Sequence, residues 1–231
     1  MKKFLLVLAL ALSLTLVSCS QDDRISRESY DAMYEHLAQM WAQSLAHADA
    51  ETAFFGDSRV AGADWYSAYP DEKVINLGVG GDKIGNLITR LGQVKTLAGS
   101  GSLKRCFVAI GGNDCLSSKF NADKFKEEYD SLLAKLSELG ITVYVNTIAG
   151  VTSEDTSVSA NDAKKANSKI EQANAIIRTS AQEYNVACIE IAALMDNEDG
   201  SLKREYASSD GVHFSEEGNQ IWFDTLRPFV E

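Results

Sequence analysis

Asp210-Gly211-Val212-His213 places a carboxylate three residues before an imidazole. A local turn brings such a pair together, and the carboxylate then orients the ring, as the acid of a hydrolytic triad does. The chain has 3 histidines: His36, His47 and His213. The first two fall in an N-terminal amphipathic segment, so His213 is the candidate general base of the domain. A hydroxyl for it to activate lies in Phe54-Phe55-Gly56-Asp57-Ser58-Arg59. There an apolar run enters Gly-Asp-Ser and then a helix start. Ser58 is thereby held where backbone N–H groups can receive an oxyanion. Asn76-Leu77-Gly78-Val79-Gly80-Gly81-Asp82 is a glycine cluster that lets backbone N–H groups approach a ligand closely. It is not a dinucleotide fingerprint, because G-x-G-x-x-G would require glycine at Lys83, and no G-x-x-x-x-G-K occurs. Ile110-Gly111-Gly112-Asn113-Asp114 supplies an amide that can donate to a developing oxyanion, or cap the next turn. The chemistry these groups can do together is nucleophilic acyl transfer. Ser58 sits in Gly56-Asp57-Ser58-Arg59-Val60, which lacks the G-x-S-x-G elbow and so excludes an α/β-hydrolase.

The elements that must position these residues alternate along the chain. Apolar, strand-like runs cover residues 52–55, 74–76, 106–110, 141–147 and 186–191. Helical spacing covers 120–139, 160–184 and 215–229. This alternation predicts a parallel sheet with helices on both faces. Sites in such sheets form outside the carboxyl ends of the strands, where the polar clusters fall. Residues 151–159, rich in Ser and Thr, read as a loop. Tyr30, Met33, Tyr34, Leu37, Trp41 and Leu45 recur at helical spacing within 26–48. They predict an amphipathic helix that buries one face, with the main domain as its partner. Membrane-surface binding is the weaker alternative, since the segment carries little positive charge.

The 231 residues are 45% hydrophobic and 24% charged, as expected of one globular domain. A net charge of -11 argues against a basic nucleic-acid footprint. Lys2 and Lys3 precede an apolar run, residues 4–17, that reads as an export signal. Leu16-Val17-Ser18-Cys19 resembles a bacterial lipobox, which implies cleavage before Cys19 and lipidation of that cysteine. The expected division is 1–18 signal peptide, 19–51 tether and amphipathic helix, and 52–231 catalytic domain. The expected location is the bacterial cell envelope, with the membrane as a partner through the lipid. Cys106, Cys115 and Cys188 remain; packing thiols are the simpler reading, and a disulfide the alternative. No C-x-x-C or Cys/His cluster suggests a metal site.

Taken in order, the clusters at Ser58, Gly78–Asp82, Asn113 and Asp210–His213 resemble the blocks of the SGNH/GDSL hydrolase family over roughly residues 52–229. Arg59 stands where the GDSL letters have leucine. The resemblance implies a flavodoxin-like three-layer α/β/α fold with a mostly parallel sheet, to which the N-terminal helix is an addition. It implies Ser58 as nucleophile, His213 as general base and Asp210 as its orienter. The Ser58 and Gly81 backbone N–H groups and the Asn113 amide would form the oxyanion hole. It implies no cofactor or metal, and an ester or O-acetylated substrate. The glycine cluster resembles the acetylhydrolase branch, which favours small acyl groups on carbohydrate or small esters. The alternatives are a lysophospholipase or lipase of the same fold, or an inactive lipoprotein that binds glycan or protein.

Overall fold

The computed structural model describes residues 27–46 and 48–231, with side chains from Tyr30 onward. The expected signal peptide, Cys19, the tether and His47 lie outside the described residues. In chain order the elements begin with α1 (Arg27–Ser44), β1 (Thr52–Gly56), α2 (Ser58–Gly62), α3 (Trp65–Ala68) and β2 (Val74–Gly78). They continue with α4 (Ile84–Thr89), α5 (Gly92–Gly99), β3 (Arg105–Ala109), α6 (Gly112–Leu116) and α7 (Ala122–Ser137). The chain closes with β4 (Thr142–Asn146), α8 (Ala160–Glu183), β5 (Ala187–Ile189), α9 (Ile191–Met195) and α10 (Glu216–Val230).

The five strands form one sheet in the order β2-β1-β3-β4-β5. Every neighbouring pair is parallel. This is the flavodoxin-like order, with the chain reversing direction across the sheet at β1 and β3. Both faces are covered, so the strands read as continuous apolar runs whose alternate residues enter different cores. Ala53, Phe55, Cys106, Val108, Val143 and Val145 face a core closed by α4, α5, α7 and α8. Phe54 and Phe107 face the opposite core, with Trp65, Tyr69, Trp222 and Leu226. There Phe54 stacks on Trp65 with ring centroids 3.7 Å apart. Of the aromatics after α2, Trp65 and Tyr69 are buried and serve packing, whereas Tyr66 is exposed.

The register sets the level of the site. Gly56 lies beside both Gly78 and Ala109, so the loops after β1, β2 and β3 leave the sheet at one height. Gly78 is required by close approach: a Cβ there would lie 2.2 Å from the Ala61 nitrogen of α2. The helix start expected after Gly-Asp-Ser is α2, and the structure adds the short helices α3, α4, α5, α6 and α9 to the elements expected from sequence. Helices of 4–8 residues show too little of a 3.6-residue period to be read from spacing. The last strand is shorter than expected, ending at Ile189, because Ile191 begins α9. Cys106, Cys115 and Cys188 are free thiols. Burial pushes Cys106 and Cys115 up to about 12, which leaves them neutral packing groups.

Candidate active site

The loop after β1 delivers the serine. Asp57 caps α2 by accepting the Arg59 N–H at 3.0 Å, and Ser58 opens the helix. Across the site, Asp210 Oδ1 accepts the backbone N–H groups of Val212 and His213 at 2.8 and 2.9 Å, and the Ser208 hydroxyl at 2.8 Å. This tight turn aims the His213 ring. Its Nδ1 lies 2.5 Å from Asp210 Oδ2, and its Nε2 lies 2.8 Å from Ser58 Oγ. Partial burial works against ionising Asp210. The hydrogen bonds from His213, Val212 and Ser208 overcome it and hold the carboxyl well below the usual range. Asp210 is therefore a carboxylate at neutral pH, able to orient the ring and stabilise imidazolium.

The other two clusters converge on the same place. Gly80 comes close to the serine, since a Cβ built on it would lie 3.9 Å from Ser58 Cβ. Gly81 takes φ +81, the left-handed region that favours glycine, and so turns the loop. Asn113, near the start of α6, donates from Nδ2 to the Asp82 carbonyl at 2.9 Å. Its second N–H has no partner among the described residues. Asn113 lines a pocket beside Ser58 whose apolar walls are Leu116, Val151, Ile170 and Val212. The pocket is about 20 Å³. That is space for one or two water-sized groups.

The sequence reading gave Arg59 no role. The structure gives it a central one. Nε donates to the Val212 carbonyl at 2.9 Å, Nη1 to Ala149 at 2.8 Å and Nη2 to Gly150 at 2.9 Å. The guanidinium also lies 4.7 Å over the Phe214 ring. Arg59 thus ties the residue after the serine to the residue before the histidine. A leucine could not make these bonds, and no local signal marks them, because the partners lie 90 to 153 positions away. Among the described residues no group of His, Cys, Asp and Glu side chains is placed to hold a metal ion.

Residues 54–221 match the family described as GDSL-like Lipase/Acylhydrolase. No curated protein matches the sequence. The fold is similar to that of a GDSL-like lipase from Bacteroides thetaiotaomicron, with a TM-score of 0.68 at 20% identity, covering 86% of this chain and 97% of that one. It is similar to a lipase/acylhydrolase from Enterococcus faecalis, with a TM-score of 0.63 at 18% identity, covering 78% of this chain and 95% of that one. An acetyl xylan esterase superposes with a TM-score of 0.62 at 22% identity, covering 78% of this chain and all of its own. At such identities the likeness is one of fold.

Proposed function

The chain belongs to the GDSL-like lipase/acylhydrolase family, and from that footing we propose that it removes small acyl groups from carbohydrate or small esters through an acyl-enzyme. The observation that carries this reading is the unbroken hydrogen-bonded path from Ser58 through His213 to Asp210. In the first half-reaction His213 Nε2 takes the Ser58 proton as Oγ bonds to the ester carbonyl carbon. The carbonyl oxygen becomes an oxyanion, received by the Ser58 and Gly81 N–H groups and the Asn113 amide. The ester C–O bond then breaks, and the alcohol leaves with the proton from His213. In the second half, His213 takes a proton from water as its oxygen attacks the acyl carbon. Collapse releases the carboxylic acid and returns the proton to Ser58.

The small pocket beside Ser58 supports a short acyl group. The fold shared with an acetyl xylan esterase supports an O-acetylated carbohydrate as the alcohol side. One feature favours a lipase as the second reading: Leu116, which forms a wall of the pocket, is 42% exposed and could swing away from a longer chain. A p-nitrophenyl ester series from acetate to palmitate decides between them. The proposal expects kcat/KM to be highest for acetate and to fall by at least about tenfold by octanoate. A long-chain optimum would install the lipase reading. We also propose that the chain is exported and held in the cell envelope by lipid on Cys19, a reading supported by the lipobox-like sequence alone.

A further inference from the structure

Helix α1 precedes the family-matched residues 54–221, and one of its side chains reaches the loops of the site. Tyr34 is buried, and its hydroxyl donates to Asp82, 2.8 Å from Oδ1 and 2.9 Å from Oδ2. Asp82 is 3% exposed, and its other partner is Arg90, whose Nε lies 2.6 Å from Oδ2. Arg90 is itself fully buried, with its guanidinium 4.5 Å over the Phe55 ring. It also donates from Nη2 to the Gly56 carbonyl at 2.7 Å, and from Nη1 to the Leu77 carbonyl at 2.7 Å. These are the exits of β1 and β2. The peptide carbonyl of Asp82 accepts the Asn113 amide, which is the exit of β3. One buried carboxylate therefore connects α1 to the loops that carry Ser58, the glycine cluster and Asn113.

We propose that α1 is a strap for the oxyanion hole, in which Tyr34 is a positioning residue that holds Asp82 so that its carbonyl aims Asn113 at the substrate. Tyr34 is the partner of Asp82 Oδ1. Without the phenol that oxygen stays buried with no donor, a costly state that the loop relieves by moving. Any such movement carries the Asp82 carbonyl with it and turns the Asn113 amide. Catalysis through an oxyanion hole is sensitive to this, because its donors act only from the position the oxyanion will occupy. The helix is itself packed on α5, which gives the strap a fixed support. Ala38 of α1 is buried, and a Cβ on Gly92 of α5 would lie 3.4 Å from Ala42 of α1.

The inference rests on Asn113 as an oxyanion donor, and the test separates the two. Turnover of p-nitrophenyl acetate is measured for the full chain, for Tyr34→Phe, for Asn113→Ala and for the double variant. Tyr34→Phe keeps the ring and its packing and removes only the hydroxyl. It is expected to lower kcat roughly fivefold with KM unchanged. In the Asn113→Ala background the same substitution is expected to cost nothing further, since the donor it positions is gone. Asp82→Glu, which keeps the charge and displaces the carboxylate, is expected to give the same non-additive pattern and guards against misfolding of the first variant. An equal loss in both backgrounds, or unchanged kcat in Tyr34→Phe, would overturn the strap. Unchanged kcat in Asn113→Ala alone would overturn the oxyanion reading beneath it, and the strap with it.

Discussion

Ser58, His213 and Asp210 form one hydrogen-bonded path, and each link in it is set by a short local cluster. Asp210 can reach His213 because it lies three positions earlier, and the turn between is stapled by Asp210 Oδ1. Asn113 is the sharpest single-residue test of the oxyanion hole. Asn113→Ala should lower kcat by about 10²–10³ and leave the protein folded, as steady-state kinetics and a thermal melt together will show. Arg59 carries the opposite lesson. Its role was invisible in sequence because its partners, Val212, Ala149 and Gly150, are backbone atoms that only folding brings near. Arg59→Leu, which supplies the leucine of the GDSL letters, leaves those carbonyls without their donor. It should cost about 2–4 kcal/mol of stability in urea unfolding, and lower kcat/KM by at least about tenfold through the loosened histidine loop.

At the scale of elements, the strands, the long helices and the loop at 151–159 were legible, and the backbone partners of residues 148–151 were not. Residues 148–151 have no strand partner, yet side chains bond all but one of their backbone N–H and C=O groups. Asn174 of α8 takes the Ile148 N–H at 2.7 Å and donates to the Ile148 carbonyl at 2.8 Å. Asn167, seven positions earlier on the same helix, does the same for Val151, both at 2.9 Å. Asp196 accepts the Gly150 N–H, and Arg59 donates to the carbonyls between. Buried backbone groups need such partners, and here two asparagines stand in for a neighbouring strand. In sequence they were only polar positions on a helix. Asn174→Ala should destabilise the fold by about 1–3 kcal/mol, read from urea unfolding. A second element carries a pH signature. Asp114 on α6 is pushed up to about 6, chiefly by burial, against the N–H of Ile84 that it accepts. A raised carboxyl binds its proton more tightly in the folded state, so its contribution to stability falls as pH rises from about 4 to 6. Asp114→Asn removes that loss. It should add about 1 kcal/mol at pH 7.5 relative to wild type and almost nothing at pH 4, as melts at the two pH values will show.

For the molecule as a whole, alternation of apolar runs with helical spacing was enough to foresee a covered parallel sheet, because burial on both faces leaves that mark on every strand. Strand order was not legible from spacing; it is a matter of which edges meet. The helix α1 was visible as an amphipathic stretch, but its reach to Asp82 spans 48 positions and one hydrogen-bonding hydroxyl among several aromatics. The central claim is that this architecture activates Ser58 through His213. The most direct measurement treats the purified chain with a fluorophosphonate and locates the adduct by peptide mass spectrometry. A single adduct on Ser58, abolished in Ser58→Ala and slowed at least about hundredfold in His213→Ala, is the expected result. An unlabelled Ser58 in a folded chain, or labelling indifferent to His213, would contradict the account.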